Sequence, residues 1–289
     1  MFFCAYMYSQ TVHNPEANYS RYGARASALA GAYATEIHDA SSMYWNPAAV
    51  AYLDKSAVVW DYYTDWDGKY RTEMIAAPFF INYNIVSTVG VTAAQFRFTD
   101  GFETVHNVAS YGIDAAFAFR FAPTVSVGIL GMVKHVSMGE NKMEVFSSSI
   151  GLLYQPGPEI SYGIIYTGFG NVFRYELEEG SAVLRQTTAP DNLQIGLTLN
   201  FPSAKSERVF SLMLTNDKTF GKTGIRYNGA LEWCVTNFFD IRVGYVVDSD
   251  YAGAKYGAGI NFGGIKADYA ISPSRLTNRF QEFTFSFDL

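Results

Sequence analysis

The most regular feature of the chain is an alternation of apolar and polar residues in its last ten positions, 280–289. Phe283, Phe285 and Phe287 lie at every second position, and Thr284 and Ser286 lie between them. A period of two residues is that of a β-strand with one apolar and one polar face. The pattern therefore predicts a strand that ends close to the last residue of the chain.

The same period recurs from Lys55 to the end of the chain. Ile113 and Phe117, for example, alternate with Asp114 and Ala118. Most of these segments have the length of about 9–11 residues that a tilted membrane strand requires. The pattern predicts fourteen strands, at approximately 56–63, 70–81, 85–96, 109–120, 124–137, 143–154, 159–168, 191–201, 208–215, 223–235, 239–247, 253–262, 265–271 and 279–288.

The connections between these strands alternate in length. If the chain ends on the periplasmic side, the turns on that side are short, and the loops on the other side are longer and include 97–108 and 169–190. Transmembrane barrels have short periplasmic turns and longer outer loops, whereas a soluble sandwich has no reason to sort its loops in this way. An even number of strands also closes without free edges. The prediction is an all-β fold, a 14-stranded antiparallel transmembrane β-barrel in the bacterial outer membrane.

Composition fits this prediction but does not establish it. The chain has 289 residues, of which 49% are hydrophobic and 17% aromatic. No apolar run approaches the roughly 18–20 residues that a membrane helix needs. A soluble all-β protein has a similar composition and is the alternative. The formal net charge of −6 predicts that nucleic acid is not a partner, because phosphate binding needs a basic surface.

The region before Lys55 differs from the rest. Residues 1–9 have the composition of a signal-peptide remnant, with cleavage expected just before Gln10. If this leader is removed, Cys4 is lost, and Cys234 leaves no disulfide framework. Residues 21–35 are rich in alanine and predict a short helix, and 39–50 predict a second helical turn that ends at Asn46–Pro47. The predicted organisation is 1–9 leader, 10–54 N-terminal segment and 55–289 barrel.

Short motifs in this N-terminal segment resemble those of a known group of proteins. The order Gly-Ala-Arg-Ala (23–26), Gly-Ala (31–32), Asp-Ala-Ser (39–41) and Asn-Pro-Ala (46–48), before strands that end in aromatics, resembles FadL-like outer-membrane barrels. Within them it looks most like the PorV/PorQ family of type IX secretion. Ala49 stands where many members have glycine, and the chain is shorter than typical PorV members.

The resemblance implies that residues 10–54 form a hatch inside the barrel lumen. A barrel of fourteen strands is too wide for its own side chains to fill. We expect Asn46 to hydrogen-bond the inner wall and Pro47 to fix the exit towards the first strand, although an ordinary helix stop explains the pair equally well. The hatch residues singled out by the motifs are Gly23, Arg25, Gly31, Asp39, Asn46 and Pro47.

Motifs for catalysis were sought and not found. The sequence has no Gly-x-Ser-x-Gly, no His-Glu-x-x-His, no phosphate loop and no paired-cysteine metal site. The glycines of 253–259 are best explained as relief of crowding on an inward strand face. The four histidines are scattered, and His38 beside Asp39 is best explained by a structural hydrogen bond. We therefore predict no enzyme activity, no catalytic residue, no cofactor and no metal.

The resemblance implies that the barrel docks secreted cargo or the translocon in type IX secretion. The expected partners are membrane lipid or lipopolysaccharide and either a large translocon barrel or the C-terminal domain of secreted cargo. One alternative is a FadL-like transporter of hydrophobic small molecules through a lateral opening, for which Pro78 marks a possible kink. Another is a structural barrel subunit. The loop 169–190 is the candidate docking surface, and its candidate residues are Phe173, Arg174, Tyr175, Glu176, Glu178 and Glu179.

Overall fold

A computed structural model describes residues 22–99, 105–139, 141–169, 172–176, 191–203, 206–221, 223–248, 252–272 and 280–289. The helical elements are α1 (Ala24–Ala28) and two 3₁₀ helices, η1 (Ala40–Tyr44) and η2 (Pro47–Tyr52). The strands are β1 (Ala57–Asp65), β2 (Tyr70–Asn82), β3 (Ile85–Thr99), β4 (Val105–Ala122), β5 (Val125–Met138), β6 (Asn141–Gly157), β7 (Ile160–Thr167), β8 (Val172–Glu176), β9 (Asn192–Ser203), β10 (Ser206–Thr219), β11 (Arg226–Thr236), β12 (Phe239–Val247), β13 (Ala252–Phe262), β14 (Ile265–Ser272) and β15 (Phe280–Asp288). In the described residues, no helix has the length and apolar character needed to span a membrane.

The strands form one closed antiparallel barrel. Apart from β8, which pairs with β6, each strand pairs with the strands before and after it in the barrel, and β1 pairs with β15 to complete the circle. Strands β7 and β8 both pair with β6 and follow one another along it, so they are two pieces of a single wall strand. The wall therefore has fourteen strands, which confirms the predicted fold class.

The wall strand made of β7 and β8 is interrupted. Thr167 lies opposite Ser149 and Val172 lies opposite Phe146, so five residue steps on one side (172 − 167) face three on the other (149 − 146). The register along β6 therefore shifts by two residues between β7 and β8. The sequence predicted a loop over 169–190, and this is wrong for 172–176, which form β8.

Side chains alternate between the two faces of the wall as predicted. On β15, Thr284 and Ser286 are buried inside the barrel, whereas Phe287 is exposed on the outer face. Trp60 of β1 stacks on Phe285 across the seam that closes the barrel, with ring centroids 5.7 Å apart. The exposed apolar residues of all the wall strands form the band that contacts lipid in such a barrel.

Residues 22–53, here called the lumenal segment, lie inside the wall. Helix α1 packs against β12–β15, η1 against β1 and β2, and η2 against β3–β6. Of the helix predicted over 21–35, only Ala24–Ala28 is α-helical. The chain turns at Ala30 and Gly31, whose φ angles are 54° and 79°. Left-handed backbone of this kind ends a helix, and the turn lets the segment fold back across the lumen.

Candidate functional site

Arg25 joins the lumenal segment to the wall. Its Nε and Nη2 atoms donate to both carboxylate oxygens of Glu232 on β11, at 2.8 and 2.7 Å. Nη2 also pairs with Glu36 at 2.7 Å, and Nη1 donates to the hydroxyl of Tyr33 at 3.0 Å. Burial acts against the charge of Arg25, but Glu232, Tyr33 and Glu36 together raise its pKa well above the ordinary value. Arg25 is therefore a permanent cation at the centre of the contact.

The ionic contacts continue along the inner wall. Arg242 of β12 donates to Glu232 at 2.7 Å and to Asp268 of β14 at 2.5 Å. His38 of the lumenal segment contacts the second oxygen of Asp268 at 3.3 Å. These contacts form one continuous series: Glu36, Arg25, Glu232, Arg242, Asp268 and His38. The first and last members lie on the lumenal segment, so the series attaches the segment to the wall at two places, through Glu232 of β11 and Asp268 of β14.

Asn46 connects the segment to β6 through its amide. Its Nδ2 donates to the carbonyl oxygens of Ala34 at 2.6 Å and Leu152 at 3.2 Å. Its Oδ1 accepts from the Ala48 N–H at 3.0 Å and caps η2, whose first residue is Pro47. Asn46 and Pro47 therefore start η2. They do not end η1, whose last residue is Tyr44. Asn46 contacts both the segment and the wall.

The other motif residues also lie in the lumenal segment. The Gly23 N–H donates to Glu282 Oε1 at 3.0 Å, and the Gly31 carbonyl accepts from Gln194 at 3.3 Å. Asp39 caps η1 by accepting from the Ser41 N–H at 2.8 Å. The structure thus brings the six singled-out residues of the motifs together inside the barrel.

An arc of apolar side chains lines the lumen at its outer end. The rings of Tyr63 and Phe280 stack with centroids 4.8 Å apart, and Tyr70 lies 5.5 Å from Tyr63 and 6.3 Å from Phe96. Phe96 packs in turn on Val108, which is 2% exposed. The apolar arc consists of Phe280, Tyr63, Tyr70, Phe96, Val108, Val136 and Met143. It spans β15 and β1–β6, and no part of it was predicted from the sequence.

The lumenal segment lies directly below this arc. Tyr22 and Tyr44 pack edge to face at 4.7 Å, and the ammonium group of Lys134 lies 5.8 Å from the Tyr22 ring. The Tyr44 hydroxyl donates to Asp114 of β4 at 2.9 Å. Burial, and then the nearby Asp114 carboxylate, raise the pKa of Tyr44 well above its ordinary value, so the phenol keeps its proton. The floor of the outer lumen is thus aromatic and polar.

The remaining predicted residues lie elsewhere. Pro78 is buried on β2 opposite Thr88, and the ladder from β2 to β3 continues in register through it. The ladder from β1 to β2 ends at Ala76, two residues before Pro78. The docking candidates 173–176 lie on β8, and Glu178 and Glu179 lie outside the described residues. Within the described ranges, no group of three or more His, Cys, Asp and Glu residues is arranged to hold a metal ion.

Comparison with known proteins yields similarity in fold. No family profile and no curated protein matches the sequence. The toluene transporter TodX of Pseudomonas putida superposes with a TM-score of 0.68 at 10% identity, over 93% of this chain and 98% of TodX. The monoaromatic hydrocarbon channel CymD gives 0.66 at 13% identity, over 94% of this chain and 98% of CymD. A Pseudomonas aeruginosa FadL homologue gives 0.60 at 15% identity, over 92% and 98%.

The fold and its outer surface define the class of protein. A closed barrel of fourteen strands with an apolar outer band is the architecture of bacterial outer-membrane proteins, so the chain is an outer-membrane β-barrel. Its structural neighbours are FadL-type barrels. The TM-scores show that the fold is shared. At identities of 10–15%, a shared fold does not establish a shared function.

Proposed function

We propose that this barrel is a channel for small hydrophobic molecules in the outer membrane. The observation that carries the proposal is the apolar arc, because most of the other inward side chains of the wall are polar or charged. An apolar surface inside a polar lumen binds molecules that leave water readily. The neighbours TodX and CymD are named as a toluene transporter and a monoaromatic hydrocarbon channel, which agrees with this proposal.

The wall also offers a lateral route from the arc. The arc ends at Met143 on β6, which lies opposite Tyr175 on β8. The register shift between β8 and β7 follows a few residues further along β6. Within the described ranges, β8 pairs with β6 alone. A hydrophobic molecule that leaves sideways here enters lipid and avoids the ionic contacts of the lumenal segment.

Binding of labelled toluene to the detergent-solubilised barrel tests the proposal. Tyr63→Ala removes one ring from the arc. Tyr62→Ala is the matched control, because Tyr62 is the preceding residue of β1 and lies on its lipid-facing side. Loss of one well-buried aromatic contact costs about 1.5–3 kcal/mol, and we expect toluene affinity to fall by about 10–100-fold. The Tyr62 variant should bind as the wild type does. Equal affinity of both variants, or no binding by the wild type, would contradict the proposal.

Docking of secreted cargo or of a translocon is a second proposal. It is supported by the motif order that resembles the PorV/PorQ family. In this structure Arg25 and Asn46 of those motifs contact the barrel's own wall, so the motifs are explained by packing inside the barrel. A mild-detergent pull-down of the tagged protein separates the two proposals. Recovery of a large barrel, or of secreted proteins that share a C-terminal domain, would favour docking, whereas a barrel recovered with a hydrophobic ligand would favour the channel.

A further inference from the structure

Two buried carboxyl groups lie beside the start of α1. Asp61 of β1 and Glu282 of β15 are 0% and 1% exposed. Asp61 lies opposite Thr284, and Glu282 lies two positions away from Thr284 on the same face. Diagonal neighbours of this kind on adjacent antiparallel strands are within reach of each other's side chains. The two groups therefore share one small volume behind the lumenal segment.

One oxygen of each carboxyl group takes part in holding the segment. Glu282 Oε1 accepts the Gly23 N–H at 3.0 Å. The Thr284 hydroxyl accepts the Ala24 N–H at 2.7 Å and donates to Asp61 Oδ1 at 2.5 Å. The first two N–H groups at the start of α1 are thus bound, directly or through one hydroxyl, to this carboxyl pair.

Among the described residues, Asp61 Oδ2 and Glu282 Oε2 are buried and receive no hydrogen bond. The hydroxyl of Ser27 on α1 also acts on the Glu282 carboxyl group. Because Asp61 and Glu282 lie diagonally across the β1–β15 ladder on one inner face, a proton on one group can bridge to the other. Two facing carboxylates repel strongly in a buried site, and a proton placed between them removes the repulsion and satisfies both oxygens.

Among the described residues, the charged and titratable groups near the pair are Asp39, Tyr44 and Lys255. Asp39 of the lumenal segment adds a further negative charge near Asp61, and the Tyr44 phenol is the other titratable group there. Lys255 of β13 lowers the charge repulsion at Glu282, and its ammonium group lies over the Phe280 ring, 5.0 Å from the centroid.

We propose that Asp61 and Glu282 form an acid pair that holds one proton between Oδ2 and Oε2, and that this pair makes docking of α1 on β15 dependent on pH. The proton is bound in the docked state and is released when the segment leaves. Docking is therefore strongest at acidic pH. As pH rises, the equilibrium constant for docking of α1 falls by up to about tenfold per pH unit. The inference does not depend on what the channel transports.

Trypsin provides a direct measurement because Arg25 is 3% exposed and is cleaved only when α1 leaves its site. Lys55 is exposed and serves as an internal reference for the pH dependence of the protease itself. We expect the ratio of cleavage after Arg25 to cleavage after Lys55 to rise as the pH is raised, in the wild-type barrel.

Asp61→Asn is the informative variant, because its amide can still accept from Thr284 and can donate to Glu282 without any proton. Its cleavage ratio should be low and nearly independent of pH. Asp217→Asn is the matched control, since Asp217 is a buried lumenal carboxyl group that already accepts from Asn228 at 2.8 Å. It should keep the wild-type profile.

Infrared spectroscopy gives a second measurement that does not depend on docking. The wild type at neutral pH should show the C=O stretch of a protonated carboxyl group, and Asp61→Asn should lose it. The proposal is overturned if this band is absent, if the wild type and Asp61→Asn share one pH profile, or if cleavage after Arg25 follows the concentration of Na⁺ or Ca²⁺ instead of pH.

Discussion

Replacement of Arg25 by methionine tests how the lumenal segment is held in the barrel. Methionine keeps much of the apolar volume of the arginine side chain and removes its charge and all its hydrogen-bond donors. Glu232 would keep its contact with Arg242 at 2.7 Å. Glu36 would lose the guanidinium at 2.7 Å and keep the hydroxyl of Thr198 at 3.1 Å. Arg25→Met therefore removes one guanidinium from two buried carboxylates, Glu36 and Glu232.

The size of the effect follows from this geometry. Removal of one partner of a buried, hydrogen-bonded ion pair costs about 3–5 kcal/mol. This corresponds to an increase of about two to four orders of magnitude in the population in which the segment has left its site. Strand pairs of the wall do not include Arg25, so the barrel itself should remain folded.

Hydrogen exchange measures the opening of the segment directly. The amides of Leu29, Ala30 and Gly31 are bonded within the segment, to the carbonyls of Arg25, Ser27 and Ala26. Their exchange should accelerate by the factor given above, while amides of the β10–β11 ladder stay unchanged. Retarded migration on heating in detergent gels would show that the barrel is intact.

The double variant Arg25→Met with Glu36→Gln decides whether charge is the cause. Glutamine removes the excess negative charge and can still accept from Thr198. We expect the double variant to recover a large part of the lost protection. If Arg25→Met leaves exchange unchanged, or if the double variant exchanges as fast as the single one, the segment is held by packing and the ionic explanation is wrong.

Two further substitutions test other contacts of the fold. Asn46→Ala removes the cap of η2 and the donor to Leu152, and should destabilise the docked state of η2 by about 2–4 kcal/mol. Hydrogen exchange of amides 48–53 should become faster, and unchanged exchange would contradict this prediction. Trp60→Ala removes a stacked ring at the seam and should lower the stability of the barrel in urea by about 1–2 kcal/mol. Phe285→Ala should have an equal effect that does not add to that of Trp60→Ala, because the two rings contact each other.

The wall was predictable because two solvents act on it. Lipid requires apolar residues on the outer face, and the polar lumen allows polar residues on the inner face, so each strand carries a period of two. The predicted strand 239–247 has the same bounds as β12, and the predicted strand 70–81 is one residue shorter than β2. The alternating pattern is clear wherever the two faces of a strand are in contact with different surroundings, lipid on one side and the polar lumen on the other.

The sequence pattern did not predict β8 or the apolar arc, because both depend on how the strands pair. Strand β8 follows β7 along β6 after a register shift of two residues, and no local pattern specifies that a strand resumes after such an interruption. The apolar arc unites residues from β15 and β1–β6, which lie far apart in the chain. Phe280 and Tyr63 read as ordinary strand residues until the pairing of β1 with β15 brings their rings together. The helix over 21–35 was overestimated because alanine favours helices in general, whereas the lumen leaves room only for a short one.

Inward glycines of the wall bring the backbone of the lumenal segment close to the barrel wall. A Cβ atom at Gly128 would overlap Pro47, and one at Gly244 would overlap the backbone between Leu29 and Ala30. The glycines predicted to relieve crowding include Gly257, where a Cβ atom would meet Ala28. At these points backbone lies against backbone, so few large side chains interlock there. These glycine contacts gain little from apolar burial, whereas elsewhere the segment packs in an apolar cluster with the wall. We therefore expect a change of charge at Arg25 or at the acid pair to loosen the segment while this cluster remains.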